Sequence, residues 1–144
     1  VAPALGIEWT GHSGGIATRN GERCAVSDTT SLEQALLATG FPREREREPD
    51  NNFATFMGVK KRCRGVRRCG AAAIDLCWVA DGTYDGYWER RLNAWDLAAG
   101  SAIVLAAGGQ LSHLDGGAPR LHEGRLVATS GKLHPALVES IRSA

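Results

Sequence analysis

The chain has 144 residues, the size of a single domain, and 43% of them are hydrophobic, enough to bury a core. With 23% charged residues and 18 glycines it is neither a coiled coil nor a disordered tail, and 17 Lys and Arg against 16 Asp and Glu leave a net charge of +1, which argues against a dedicated nucleic-acid binder. The longest apolar run, residues 102–107, is too short to cross a bilayer, and no basic stretch followed by an apolar one opens the chain.

Residues 1–30 read as β structure. Asn20-Gly21 is a hairpin signal, because both residue types tolerate positive φ. A hairpin alone is marginal in water, so partner strands are expected outside this sequence. The opening residue, Val1 rather than Met, fits that expectation of a processed precursor or a piece of something longer. Thr30 and Glu33 have capping-box spacing and predict a short helix. Residues 36–40 read as a buried strand. The alternating Arg and Glu of residues 43–48 read as a solvated loop or helix start. Residues 49–62 are expected to be helical, with Phe53, Phe56, Met57 and Lys60 on one face. A short strand or turn at 65–68 precedes a helix over 71–80, apolar nearly all round and therefore buried. Residues 83–89 form an aromatic strand, and 96–107 a second buried helix ended by Gly108-Gly109. Strands follow at 110–114 and 126–129. Pro135 opens the last helix, with Leu137, Val138 and Ile141 as its stripe. Strands separated by helices predict a layered α/β domain.

The four cysteines, at 24, 63, 69 and 77, form no Cys-x-x-Cys pair and have no His at zinc-finger spacing. They read as reduced thiols of a cytoplasmic protein. No Ser-His-Asp order, nucleophile elbow or phosphate loop is present.

Three places carry potential chemistry. Asp96 at a helix start is either an N-cap or one oxygen ligand of a hard cation, and spacing alone favours the cap. Gly70, Ala71 and Ala72 open a helix with residues small enough for a ligand to reach backbone N–H groups, or for another helix to pack closely. Glu89 ends the aromatic strand, on the face it shares with Asp85 and Tyr87, where a carboxylate could accept hydrogen bonds from a polyol or simply be solvated. Six cations between Lys60 and Arg68 read as a solvated face, with a phosphate- or RNA-facing patch as the sharper alternative. No aromatic residue is interleaved there for stacking bases.

The combination is more specific than its parts. Trp95-Asp96-Leu97-Ala98-Ala99-Gly100 followed by Ala107-Gly108-Gly109 resembles the C-terminal signature of the inositol monophosphatase family. Residues 67–76 resemble its substrate-binding helix, and 85–89 its aromatic strand. Residues 36–42 and the Asn20-Gly21 hairpin match as well. The resemblance covers essentially the whole chain, in order. It implies the C-terminal half of a layered αβαβα sugar-phosphatase-like fold. In that reading residues 1–30 are a β-hairpin from the end of the N-terminal antiparallel sheet, and 31–144 the C-terminal α/β domain. It further implies Mg²⁺-dependent hydrolysis of a phosphate monoester such as inositol phosphate, with Asp96 as a metal ligand and Gly70, Ala71, Ala72 and Glu89 binding substrate. A homodimer of the complete protein is implied too. Histidinol phosphate or another sugar or nucleotide phosphate is the alternative substrate, and a non-catalytic half-domain that binds protein, RNA or the transcription machinery is the alternative role. The acidic pair and the Asp-Pro-x-Asp-Gly-Thr motif of the family's N-terminal half are not in this sequence, so the segment by itself is expected to be inactive. Ala106 stands where the family usually has Glu, a departure expected to affect local packing.

Overall fold

The computed structural model of the chain describes residues 1–12, 14–44 and 46–144. Strands β1 (Trp9–Thr10), β2 (Ala17–Arg19) and β3 (Glu22–Cys24) form an antiparallel sheet in that order. The turn between β2 and β3 is the expected two-residue one. Asn20 and Gly21 have φ of 51° and 81°, the left-handed pair that such a turn needs. Asn20 also ties the turn to the preceding loop, accepting from the Glu8 N–H at 2.8 Å and donating to the Gly6 carbonyl at 3.2 Å.

The remaining strands are β4 (Leu36–Thr39), β5 (Gly65–Arg67), β6 (Gly86–Glu89), β7 (Gly109–Ser112) and β8 (Leu126–Ser130). They build one mixed sheet in the order β5-β4-β6-β8-β7, with β4 parallel to both β5 and β6, and β8 antiparallel to both β6 and β7. Helices α1 (Phe53–Lys60) and α4 (His134–Arg142) cover one face of it. Helices α2 (Ala72–Ala80) and α3 (Ala94–Ala106) cover the other.

Two cores follow from the period-two alternation of the central strands. Leu37, Trp88 and Val127 point to α1 and α4, where they meet Val59, Leu133, Leu137 and Ile141. Ala38, Tyr87 and Ala128 point to α2 and α3, where the core continues through Leu76, Leu97 and Val104 to Trp9 and Ala17 of the first sheet. The α2–α3 pair is thus a filling between two sheets, which is why both helices are apolar on most sides.

Four expectations from sequence need correction. Thr30 and Glu33 make no capping box: Ser31 precedes a three-residue 3-10 turn, Leu32–Gln34, without a side-chain cap. There is no room for a helix, because β4 begins at Leu36, whose N–H is held by the Asp85 carboxylate at 2.6 Å. Helix α1 is four residues shorter at its start, since Asn52 has φ of 75°. Its buried residues are Thr55 and Val59, while Phe53 and Met57 are exposed. Phe53 and Phe56 pack on the Phe41 ring instead, at 5.1 and 5.6 Å. Strand β6 starts only at Gly86, because the N–H groups of Thr83 and Tyr84 are taken by the Asp81 carboxylate and the Trp78 carbonyl, each at 3.0 Å. Lastly, α3 begins at Ala94 with Asn93 as its N-cap, not at Asp96.

Candidate active site

Strands β4 and β6 run parallel and end side by side, with Thr39 opposite Trp88. Ligands of open α/β sheets collect at such carboxyl ends. An open cleft of about 640 Å³ lies there, lined by Phe41 and Pro42 beyond β4, by Glu89 and Arg90 at the end of β6, and by Trp95 and Asp96 at the start of α3.

Glu89 is buried at the inner wall. Its Oε2 accepts the Tyr87 hydroxyl at 2.5 Å, the same-face contact that strand alternation predicts. Burial raises the Glu89 carboxyl above its ordinary pKa, and Asp96 adds to the rise, while the Tyr87 hydroxyl and the Arg68 guanidinium oppose it. All four residues of β6 are buried, so this strand has no solvated face. Asp85, expected on the Glu89 face, is buried and occupied in holding β4.

Asp96 is the N3 residue of α3. Its Oδ2 accepts the Asn93 N–H at 3.0 Å, and the two residues form a capping box. The capping role expected of Asp96 is therefore real but exercised from the third helical position. Asp96 also lines the cleft, and a carboxylate can accept more than that one bond. Trp95 beside it is 78% exposed.

Gly70, Ala71 and Ala72 lie at the start of α2, apart from the residues lining the cleft. Gly70 takes φ of 85°, a left-handed value that favours glycine. Ala71 is the N-cap, and no side chain caps this helix, so its first N–H groups are not taken by a cap. Asp75, one turn into α2, was not singled out from sequence because it reads as one polar residue in an apolar helix. It is 1% exposed, and its Oδ1 has no hydrogen-bond partner. Burial pushes its pKa up to about 7, opposed by Cys69 and Arg68 and reinforced by Glu89. Asp75, Glu89 and Asp96 all act on the buried Tyr87 hydroxyl, which burial first of all raises well above its ordinary pKa. The start of α2 and the cleft are thus one electrostatic neighbourhood.

The cleft rim is pinned by ion pairs. Asp50 receives Arg90 at 2.5 Å and Arg125 at 2.7 Å, and Arg91 reaches Glu48 at 2.6 Å. Partial burial works to raise the Asp50 pKa, but the two guanidinium groups outweigh it and hold the carboxyl below its usual range. The alternating segment 43–48 contributes Arg43, Glu44 and Glu48 to the cleft rim, while Arg45 lies outside the described residues. Of the basic run, Lys60, Lys61, Arg64 and Arg67 are exposed, as expected of a solvated face. Arg62 is tied to Ser140 and Ser143 of the α4 end, at 3.2 and 2.8 Å. Ala106 is outside the cleft: a Cβ added at Gly11, just beyond β1, would meet the Ala106 Cβ at 3.2 Å. All four cysteines are free thiols. Among the described residues no helix is long and apolar enough to cross a membrane.

The chain is similar to proteins of one kind. The inositol monophosphatase family profile matches residues 1–144. An inositol-1-monophosphatase of Synechocystis is 47% identical over 125 residues, covering 87% of this chain and 44% of the relative. The Nus factor SuhB of Pseudomonas aeruginosa is 42% identical over 142 residues, covering 97% of this chain and 52% of the relative. The solved structure of an inositol monophosphatase from Anabaena superposes with a TM-score of 0.96 at 40% identity, over 99% of this chain and 56% of that one. The chain therefore spans about half the length of the relatives it matches, and its layers are those of the sugar-phosphatase fold seen in these neighbours. From its first residue to its last, it belongs to the inositol monophosphatase family.

Proposed function

We propose that the chain is the C-terminal portion of a Mg²⁺-dependent phosphatase acting on a phosphate monoester of a polyol, inositol phosphate first among them. The observation that carries this reading is a pair of carboxylates, Glu89 and Asp96, on one cleft, in the electrostatic neighbourhood of a helix start that no side chain caps. In this reading Glu89 accepts substrate hydroxyls, Gly70, Ala71 and Ala72 offer backbone N–H groups, and Asp96 gives an oxygen to the metal. Mg²⁺ held there would supply polarisation of the phosphate and a lowered pKa for water. The donor type fits, since Asp96 is a hard oxygen ligand. One ligand is not a site, however, and among the described residues no group of three or more His, Cys, Asp or Glu could hold a metal. The other ligands are assigned to the rest of the polypeptide and to the substrate.

Residues 1–30 are read as the end of an antiparallel sheet that continues outside this chain, which suits strands of two and three residues. The four free thiols suit a cytoplasmic location, and a homodimer belongs to the same reading. Histidinol phosphate or a nucleotide phosphate is the alternative substrate. The exposed cations of the basic run support the second reading, a surface that binds protein or RNA.

The test is paired and uses the complete polypeptide. Asp96→Asn keeps a carbonyl oxygen for the Asn93 N–H but removes the charge. It is expected to melt near the parent temperature in chelator, and to lose most phosphate release across a Mg²⁺ titration. Asp96→Ala is expected to lose activity and also about 0.5–2 kcal/mol of capping stability. If Asp96→Asn keeps its activity at ordinary Mg²⁺ and only Ala lowers the melting temperature, Asp96 is a cap and the metal assignment fails.

A further inference from the structure

Glu89 sits in a socket that the chain builds with some care. Gly40 leaves the end of β4 beside it and is buried. A Cβ added at Gly40 would fall inside the van der Waals shell of the Glu89 Cδ, Oε1 and Oε2. The Gly40 backbone is not left-handed, so glycine is demanded here by space and not by torsion. The carboxylate also takes the Tyr87 hydroxyl. Gly40 is in turn fixed by Asn52, which is 2% exposed. The Asn52 amide donates to the Gly40 carbonyl at 2.7 Å and to Thr39 Oγ1 at 2.9 Å, and it accepts the Trp88 indole N–H at 2.9 Å. The Thr39 hydroxyl donates to the Trp88 carbonyl at 2.5 Å. Every group of this knot has a partner, and together they lock the end of β4 against the residue that precedes Glu89.

We propose that Gly40, held in register by Asn52, is a specificity-determining positioning residue, the floor that sets where the Glu89 carboxylate points into the cleft. The proposal rests on the reading of Glu89 as the acceptor of substrate hydroxyls. A carboxylate selects among polyols by the direction of its lone pairs, and with Oε2 engaged by Tyr87 the remaining directions are set by how closely the group lies on the Gly40 backbone. A methyl group at position 40 displaces the carboxylate without altering its charge.

The complete polypeptide is used, with two substrates, inositol phosphate and p-nitrophenyl phosphate, which has no ring hydroxyls. The quantity read is the ratio of their kcat/KM values. Gly40→Ala is expected to lower this ratio about ten-fold or more, the range for losing a charge-assisted hydrogen bond. Added to Glu89→Gln, it should lower the ratio no further, because it acts through the same carboxylate. A fall for both substrates alike, or a further fall in the double variant, overturns the proposal. If Glu89→Gln alone leaves the ratio unchanged, the reading of Glu89 is what has failed. Folding is controlled by melting curves in chelator. Gly40→Ala with Glu89→Asp shortens the crowded side chain by one methylene and should regain part of the melting temperature lost in Gly40→Ala alone. No recovery means that the crowding is not with Glu89, which also overturns the proposal.

Discussion

Asp75 and His134 are buried titratable groups that make opposite demands on the pH. His134 opens α4 with Nδ1 and the Thr129 hydroxyl 2.8 Å apart, and its Nε2 is buried with no partner. Burial lowers its pKa below the ordinary 6.5. The unfolded chain therefore binds a proton before the folded one does, and His134 withdraws stability as pH falls below about 6.5. Asp75 has the reverse sign. Its folded pKa is raised from 3.8 to about 7, so the unfolded chain ionises first and stability declines as pH climbs from about 4 to about 7. The expected outcome is that Asp75→Asn melts higher than the parent by a margin that widens across that interval and then levels. Melting curves at matched ionic strength check this, and a margin independent of pH would show that Asp75 does not titrate there. Glu89 and Asp96 could be singled out from sequence because they sit in recognisable runs. Gly40 and Asp75 sit in such runs too, at 36–42 and 67–76, but neither they nor Asn52 show a role there. Their roles arise from β4 pairing with β6 and from α2 packing on the sheet, contacts between residues up to 49 positions apart.

Elements were legible where periodicity was strong and less so where tertiary contacts set the limits. The buried helices and the hairpin turn follow from apolar content and from Asn-Gly. The starts of α1 and β6 lie beyond the reach of periodicity, since Asn52 is drawn out of helical geometry by its three buried partners and Thr83 and Tyr84 are tied back to the end of α2. The small residues of α3 have a meaning that composition alone could not give. Gly100 is buried against α2, and a Cβ there would meet the Leu76 Cβ at 2.6 Å. Neither helix can retreat, because each also packs on a sheet. Gly100→Ala, normally helpful inside a helix, is therefore expected to destabilise by about 1–3 kcal/mol through overpacking. Denaturant unfolding measures it, and a gain in stability would mean that α2 and α3 can slide apart.

At the scale of the whole molecule, the resemblance gave the layers and their order, while the cleft's rim of ion pairs came only with the structure. In the proposed reading the site is spread over elements that this chain supplies only in part. Residues 1–144 alone are accordingly expected to release phosphate from inositol phosphate no faster than buffer containing Mg²⁺, because metal catalysis needs a fixed set of ligands. Robust Mg²⁺-dependent release from the purified segment would overturn that expectation. The placement of the tryptophans has a practical side. Trp9 and Trp88 are buried, Trp78 is half-buried, and Trp95 alone of the four is open to water, one residue from Asp96 at the lip of the cleft. The red edge of the intrinsic fluorescence therefore belongs to Trp95. A ligand that fills the cleft is expected to dry or quench that indole, which would make Trp95 an unlabelled optical gauge of occupancy, and a fluorescence titration with substrate checks it.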